Sequence, residues 1–250
     1  MAIIKKLYFA SDIHLGYPDH AGSLLRERKL VAWLEQVRQD AEAIFLVGDV
    51  FDFWWDWKYV VPRGFTRFLG KLSEIADSGL PIHVFTGNHD VWLFDYLQQE
   101  CGVSVHYEPM VYNYAGKKLY IGHGDGLGSY DKGYRLLKKC FTSKFLQWGF
   151  ARVHPNFAMW LGYNWSHNSR RKHPEGMFHG EDREWLVLYS KDLLKEEHYD
   201  YFVYGHMHFP IKIRLNEKSE YFNLGDWLTL FTYGVCDEKE FKLEQFKPIA

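Results

Sequence analysis

The sequence of 250 residues has only three cysteines, which are scattered and form no Cys-x-x-Cys pair. This scarcity argues against a disulfide framework or a thiolate zinc site and favours a reducing compartment. No window approaches the roughly 18 apolar residues that span a bilayer, and the N-terminus has no apolar stretch of signal-peptide length. We therefore expect a cytoplasmic protein, with peripheral contact with the inner face of the cytoplasmic membrane left open. Repeats and low-complexity linkers are also absent, which favours a single domain over residues 1–250.

The net charge of −2 conceals a basic segment at residues 126–180. Nine lysines and arginines stand there against two acids, so the segment carries +7 and the rest of the chain −9. It also holds eleven aromatic residues, whose rings are either a buried helical core or the wall of an apolar groove. The positive charge suggests an anionic partner. Such rings can stack nucleic acid bases, but the isoelectric point near 6.7 gives this little support, and we expect no nucleic acid partner.

Short apolar runs alternate with helical patterns in the first half of the chain. The runs at 7–10, 43–47 and 82–85 predict buried strands, and the apolar spacing at 22–39 and 64–77 predicts helices between them. This order predicts an α/β fold with a largely parallel first sheet.

The second half of the chain has weaker patterns. Segments 103–107 and 118–122 predict strands on either side of a turn at Ala115-Gly116. An amphipathic helix is expected at 182–197 and a strand at 201–204, and the alternating tail from 211 to 246 predicts antiparallel strands.

Five of the predicted strands end in Asp, Asn or His, and four of the five loops carry Gly beside that stop. Ligands of open α/β sheets bind outside the carboxyl ends of the strands, so these loops predict one site. Carboxylates and imidazoles suit transition metals such as Mn, Fe, Co and Zn, and a carboxylate can bridge two ions. The loops are Asp12-Ile13-His14, Gly48-Asp49, Gly87-Asn88-His89-Asp90, Gly122-His123-Gly124-Asp125 and Gly205-His206-Met207-His208.

In order and spacing, these loops resemble the signature of the calcineurin-like metallophosphoesterases: D-x-H, G-D, G-N-H-[DE], a late His and G-H-x-H. The resemblance implies a four-layered α/β/β/α sandwich of two mixed sheets. It also implies two divalent cations, Mn²⁺ being the first expectation and Fe, Co or Zn the alternatives. Asp49 would bridge the cations, and His89 would position the phosphate or donate a proton, so both are the expected catalytic residues. The implied ligands are Asp12, His14, Asp49 and His208 for one cation, and Asp49, Asn88, His123 and His206 for the other.

Three further stretches resemble the UDP-2,3-diacylglucosamine pyrophosphohydrolases within that family. Asp49 is followed by Val50-Phe51-Asp52-Phe53-Trp54, similar to GDLFE-x-W, and the His123 and Asp131 loops are close to HGD-x-L and D-x-G-Y. The basic segment lies where those enzymes insert a helical lid. The resemblance implies cleavage of the pyrophosphate of UDP-2,3-diacylglucosamine to UMP and 2,3-diacylglucosamine 1-phosphate, in lipid A biosynthesis.

The inserted helical lid is expected at residues 126–180, with its rings lining a groove for acyl chains. The candidate substrate contacts are Asn88, His89, Asp131, Ser166, Arg170, Arg171 and Lys172. The candidate groove residues are Phe141, Phe145, Trp148, Phe150, Phe157, Met159, Trp160 and Leu161.

Two alternatives share the same ligands. One is a metallophosphoesterase that acts on nucleotides, phosphodiesters or phosphoproteins. The other is a non-catalytic binding module, which the complete ligand set disfavours. Among the nearby acids, we expect Asp90 and Asp125 to orient histidines or their loops, and Asp52 and Asp56 to be surface or loop acids.

Overall fold

The computed structural model describes residues 5–128, 132–172, 178 and 180–247, and of residues 132, 133 and 169–172 it describes the backbone alone. Its elements, in chain order, are β1 (Lys6–Ala10), α1 (His20–Val37), β2 (Ala41–Val47), α2 (Thr66–Asp77), β3 (Ile82–Phe85), α3 (Tyr96–Cys101), β4 (Ser104–His106), β5 (Met110–Tyr114), β6 (Lys117–Gly122), α4 (Lys132–Thr142), α5 (Lys144–Phe150), α6 (Pro155–Lys172), α7 (Trp185–Leu193), β7 (Tyr201–Tyr204), β8 (Pro210–Arg214), β9 (Glu220–Leu224), β10 (Thr232–Cys236) and β11 (Phe241–Gln245).

The first sheet has the strand order β11-β10-β1-β2-β3-β4. Its strands β1 to β4 pair in parallel, while β10 and β11 are antiparallel to their neighbours. Parallel neighbours need long crossover connections, which α1, α2 and α3 provide. The parallel first sheet predicted from the alternating pattern is confirmed.

The second sheet, β5-β6-β7-β9-β8, stacks on the first. Alternate side chains of β1 and β2 point to opposite faces, and both faces are buried. Phe9 and Phe45 pack with Phe222 between the sheets, whereas Ile44 packs with the core beneath α1 and α2. The outer face of the second sheet packs against Leu186 of α7. These layers confirm the four-layered α/β/β/α sandwich.

Three details differ from the sequence prediction. β4 pairs with β3 in the first sheet, and the strand that crosses the Ala115-Gly116 turn to β6 is β5, which the sequence pattern missed. β5 lies at a sheet edge and is partly exposed, so it lacks the apolar run of a central strand. β9 runs parallel to β7 within a tail that was expected to be antiparallel. The helix expected at 182–197 is shorter, ending at Leu193.

Three helices, α4, α5 and α6, lie between β6 and α7, within the segment where the sequence predicts an inserted lid. None of the helices in the described ranges combines the length and apolar character needed to cross a membrane.

Two histidines outside the strand-end loops form a pair in the first sheet. His83 Nδ1 lies 3.0 Å from His106 Nε2, and the His83 ring stacks on Phe45 at 4.8 Å between centroids. Burial, with a smaller effect of His106, lowers the pKa of His83 to about 4. The unfolded chain, with an ordinary histidine pKa near 6.5, therefore binds more protons than the folded chain between these values.

We expect this pair to make the free energy of unfolding fall as pH decreases from about 6.5 to about 4. His83→Gln should flatten part of that slope in denaturant titrations at a series of pH values. The same change at His198, which is exposed, is the control. Equal slopes for wild type and His83→Gln would contradict the assignment.

Candidate metal centre

The polar ends of five strands meet at one edge that the two sheets share. The N–H groups of Asp12 and Ile13 donate to the carbonyls of Gly48 and Asp49, at 3.2 and 2.9 Å, which joins the loops after β1 and β2. The His206 N–H donates to the Asp12 carboxylate at 2.9 Å, which joins the two sheets. The loops predicted to converge therefore do so.

Five of these residues have the left-handed backbone conformation that residues other than glycine adopt uncommonly. Such a conformation costs on the order of 1–3 kcal/mol per residue and is concentrated at functional sites. It interrupts the alternation of a strand, so both members of an Asp-x-His or His-x-His pair can face one cavity. The residues are Asp12 (φ 54°), His14 (φ 47°), Asp49 (φ 50°), His206 (φ 70°) and His208 (φ 53°).

One group of ligand atoms surrounds a point between Asp12, His14 and His208. Asp12 Oδ1 lies 3.2 Å from His208 Nε2 and 3.9 Å from His14 Nε2, and the two imidazole nitrogens are 3.4 Å apart. Asp49 Oδ2 lies 3.8 Å from His14 Nε2. Atoms that bind one cation at about 2.0–2.2 Å stand roughly 3–3.5 Å apart, so this group fits a cation with little adjustment.

A second group continues from the same oxygen of Asp49. Its Oδ2 lies 3.3 Å from His123 Nε2, and nearby His206 Nδ1 lies 3.0 Å from Asn88 Oδ1. The rings of His123 and His206 are 5.2 Å apart. Because Asp49 Oδ2 lies near both His14 and His123, its position fits a carboxylate that could bridge two cations.

Two glycines leave the space that this arrangement requires. A Cβ on Gly87 would stand 2.2 Å from Asp49 Oδ1, and a Cβ on Gly205 would stand 1.8 Å from Ser11 Oγ. Ser11 in turn donates to the Asp12 carboxylate at 2.6 Å. Any larger residue at either position would displace a carboxylate of the site.

The electrostatics of the cluster favour charged carboxylates. Burial opposes ionisation of Asp49, but the surrounding histidines, His123 foremost, together outweigh it and hold the pKa of Asp49 well below its usual range. The pKa of Asp12 is lowered in the same way, by His208 against burial. Conversely, burial lowers the pKa of His123 but the Asp49 carboxylate raises it well above its usual value.

Two buried atoms at the centre, Asp12 Oδ1 and His123 Nε2, make no hydrogen bond within the described residues. Buried polar atoms are normally paired, and buried anions are paired or bind metals. A set of two carboxylates, one amide and four imidazoles therefore fits two divalent cations.

His89 is buried beside this cluster, with its ring edge-on to His14 at 4.8 Å between centroids. Its Nδ1 lies 3.1 Å from the carbonyl oxygen of Asp52, which can only accept, so Nδ1 carries the proton. The backbone N–H of His89 donates to Asp49 Oδ1 at 2.8 Å. The tautomer that results leaves Nε2 as the ring atom available to a substrate.

Asp52 lies in the loop after β2 but is fully buried, so it is a loop acid and the expectation of a surface acid is wrong. Its Oδ1 lies 3.6 Å from His14 Nδ1, and its Oδ2 accepts a hydrogen bond from Ser166 Oγ of α6 at 2.9 Å. A bridge between Leu15 and Phe51 extends the pairing of β1 and β2 and holds Asp52 beside His14. Carboxylates in this position fix the orientation of a ligating histidine.

We expect Asp52→Asn to weaken Mn²⁺ binding by about 10–100-fold, since it removes the negative charge behind His14. The backbone carbonyl that orients His89 remains in this variant. Titration calorimetry with Mn²⁺ measures the change, and Asp77→Asn on the exposed end of α2 is the control. Mn²⁺ affinity equal to that of wild type would show that Asp52 does not support His14.

Two other acids tie loops together. Asp90 accepts hydrogen bonds from the N–H groups of Gly87, Val50 and Phe51, which fixes the loops after β2 and β3. Burial and, to a smaller extent, the charge of Asp49 raise the pKa of Asp90 to about 7. Asp125 accepts from Lys138 Nζ at 3.1 Å, which joins the loop after β6 to α4.

An apolar cavity of about 350 Å³ lies between α4–α6 and the loops that follow β2 and β3. Trp165 borders it and its ring centroid stands 5.9 Å from that of His89, so one wall of the cavity is close to the metal cluster. Gly162 brings α6 against the ring of Phe53, which a Cβ would approach to 2.5 Å. The wall is formed mainly by Phe53, Trp55, Trp92, Phe141, Phe150 and Trp165.

The residues proposed from sequence to line an acyl groove divide into two sets. Phe141, Phe150 and Leu161 line the cavity, and Met159 packs against the aromatic cluster behind it. The others are more than half exposed and form two stacked pairs on the outer surface, Phe145 with Trp148 and Phe157 with Trp160.

The candidate substrate contacts are only partly described. Asn88 and His89 lie at the cluster, and Ser166 is buried against Asp52. Asp131 lies outside the described residues, and of Arg170, Arg171 and Lys172 the backbone within α6 is described, but not the side chains. Their contact with a substrate stays a prediction.

Comparison with known proteins agrees with this geometry. The family model described as "Calcineurin-like phosphoesterase" matches residues 5–210. The chain is 38% identical to a protein of Porphyromonas gingivalis named UDP-2,3-diacylglucosamine hydrolase, over 97% of this chain and 98% of that one. A protein of the same name from Aeromonas salmonicida is 26% identical over 95% of this chain and 92% of that one.

Among solved structures, the phosphoesterase Yfce of E. coli aligns with a TM-score of 0.46 and 17% identity. The alignment covers 93% of this chain and 88% of that chain.

Proposed function

We propose that this chain, which belongs to the calcineurin-like phosphoesterase family, hydrolyses the pyrophosphate of UDP-2,3-diacylglucosamine to UMP and 2,3-diacylglucosamine 1-phosphate. The observation that carries the proposal is the apolar cavity that opens beside the metal cluster. A substrate with acyl chains and a diphosphate needs an apolar compartment next to a cationic one. The names of the two relatives point to the same substrate.

The cluster would bind two divalent cations, with Asp12, His14, Asp49 and His208 holding one, and Asp49, Asn88, His123 and His206 the other. Mn²⁺ is our first candidate because carboxylate and amide oxygens suit it, and Fe, Co and Zn are the alternatives because imidazole suits transition metals. When bound, such a pair of cations lowers the pKa of water and neutralises charge that develops on phosphoryl oxygens.

His89 is the residue we assign to the reacting phosphate. Its Nδ1 proton is held by the Asp52 carbonyl, so Nε2 can take up a proton and return it to the leaving oxygen. The indole of Trp165 and the buried rings behind it exclude water from that side of the site. Exclusion of water strengthens the electrostatic interactions between charged groups and the diphosphate.

The three helices α4, α5 and α6 would act as the lid that covers the acyl chains. The cavity beneath them lies in the size range of small-molecule sites, about 300–1,000 Å³. The exposed pairs Phe145–Trp148 and Phe157–Trp160 lie on the same helices, whose lysines and arginines exceed their acids. Apolar rings beside basic residues are typical of surfaces that rest on anionic lipid, and we assign peripheral membrane contact to this face.

The proposal is tested by incubating the protein with Mn²⁺ and UDP-2,3-diacylglucosamine and identifying the products by mass spectrometry. We expect equal amounts of UMP and 2,3-diacylglucosamine 1-phosphate. If UDP-2,3-diacylglucosamine stays intact while nucleotides or a generic phosphodiester are cleaved, the result would instead favour a metallophosphoesterase that acts on another substrate.

A further inference from the structure

A second cavity, of about 390 Å³, lies on the opposite side of α6 from the apolar cavity. Leu161 and Trp165 of α6 line the apolar cavity, whereas Tyr163 and His167 line this one. Residues two apart in a helix point in nearly opposite directions, since each residue turns the helix by about 100°. One helix therefore separates an apolar compartment from a second compartment of similar volume.

Part of the wall of this second cavity belongs to the loop that carries His14. Gly16, two residues after His14, forms part of its wall, and a Cβ there would stand 3.0 Å from Tyr163 Oη. The buried Arg26 guanidinium donates to the carbonyls of His14 and Tyr17 at 2.9 and 2.8 Å. These hydrogen bonds hold the loop that links His14 to the second cavity, just as Trp165 of the first cavity stands beside His89.

The lining of the second cavity carries more polar groups than that of the first. Its two acids are already engaged by backbone N–H groups: Asp19 accepts from Gly22 at 2.8 Å, and Glu27 accepts from Arg67 and Phe68 at 2.9 and 3.1 Å. Arg63, His20 and His167 are therefore left to contact a ligand. Within the described residues, Arg63 makes no ion pair.

Aromatic rings add flat surfaces to these polar groups. Phe65, on the loop before α2, and Tyr163, on α6, both line the cavity. A flat ring offers a stacking surface to any base, and neighbouring polar groups can bond to the edge of a base and to ribose hydroxyls. This combination fits a nucleoside better than an acyl chain.

We infer that the cavity between α1, α6 and the loop before α2 binds the nucleoside half of the substrate. The inference rests on the proposed function, in which the bond to be cleaved lies between an acylated sugar and a nucleoside. With the acyl chains in the apolar cavity and the nucleoside in the second cavity, on the other side of α6, the diphosphate would lie at the metal cluster between them. Arg63 at the rim is the group that contacts the nucleoside from the solvent side.

The test places a larger side chain in the second cavity by a substitution in α1. Leu24 lines it, while its neighbour Leu25 is exposed, so Leu24→Trp and Leu25→Trp form a matched pair. We expect Leu24→Trp to weaken inhibition by UMP by about ten-fold or more, a loss of roughly 1.4 kcal/mol, and to raise KM for UDP-2,3-diacylglucosamine. Inhibition by 2,3-diacylglucosamine 1-phosphate should stay at the wild-type level, as should every property of Leu25→Trp.

Two outcomes would overturn the inference and leave the proposed function intact, provided that the wild type cleaves the lipid. One is unchanged UMP inhibition in Leu24→Trp. The other is that, in Leu24→Trp, only inhibition by 2,3-diacylglucosamine 1-phosphate becomes weaker, which would assign this cavity to an acyl chain. If the wild type does not cleave UDP-2,3-diacylglucosamine at all, the proposed function and this inference both fail.

Discussion

Asp49→Asn should lower kcat/KM by about a thousand-fold or more while the protein stays folded. A single oxygen of Asp49 lies 3.8 Å from His14 Nε2 and 3.3 Å from His123 Nε2, so it faces both cation sites. Replacing that charged oxygen with the neutral amide group weakens cation binding. This removes several kcal/mol of charge stabilisation at the reacting phosphate, and each 1.4 kcal/mol is a factor of ten in rate. The amide keeps the shape of the carboxylate, and its Oδ1 can still accept a hydrogen bond from the backbone N–H of His89.

The measurement pairs steady-state kinetics with metal analysis of the dialysed protein. Wild type should retain two Mn²⁺ per chain and Asp49→Asn fewer, with near-UV circular dichroism unchanged. Asp77→Asn, an exposed acid at the end of α2, controls for the loss of a carboxylate as such. Near-wild-type turnover in Asp49→Asn would refute the bridging position.

Cys140→Trp should reduce kcat/KM for the acylated substrate by about a hundred-fold. Cys140 lines the apolar cavity, and an indole there would occupy part of its roughly 350 Å³. Excluding about four methylene groups, at about 0.8 kcal/mol each, costs roughly 3 kcal/mol of binding to the transition state. Cleavage of bis(p-nitrophenyl) phosphate, which has no acyl chain, should change little because the metal ligands are untouched.

Leu136→Trp, one turn earlier in α4, is the matched control because Leu136 is exposed and does not line the cavity. Chemical labelling gives an independent test: Cys140 is exposed, whereas Cys101 and Cys236 are buried, so a maleimide should modify Cys140 selectively. Equal losses on the acylated substrate and on the small diester would contradict an acyl-binding cavity.

The convergence of the candidate ligands could be predicted from sequence because it depends on their order and on strand ends. An apolar run that stops at Asp12 or His206 indicates a strand with a polar residue at its carboxyl end. Parallel strands place such ends at one edge. The left-handed conformations at these residues had no sequence signal of their own, since they arise from hydrogen bonds between loops, such as that from His206 N–H to Asp12.

Asp52 shows what the sequence pattern could not reveal. It follows Asp49 by three residues, and the chain could equally have turned it toward solvent. The bridge between Leu15 and Phe51 continues the parallel pairing beyond the strands and turns the side chain toward His14. Its partner Ser166 is 114 residues away, so no local pattern could predict the contact.

The aromatic residues of α4–α6 show the same limit. Helical spacing indicates which rings share a face, but it does not indicate which face meets the core. The structure places Phe141 and Phe150 in the cavity, whereas Phe145 and Trp148 lie on the outer surface. β5 was missed for a related reason, because the partial exposure of an edge strand removes the apolar run that identifies central strands.

The most direct test of the proposed function is the rate of UMP release from UDP-2,3-diacylglucosamine, compared with unacylated UDP-glucosamine, before and after chelation. We expect the acylated substrate to be cleaved about a hundred-fold faster or more, given the apolar area that the cavity can bury. Chelation should abolish the activity and added Mn²⁺ should restore it. Equal rates on both substrates, or release that persists without divalent cations, would contradict a metal-dependent hydrolase specific for an acylated nucleotide sugar.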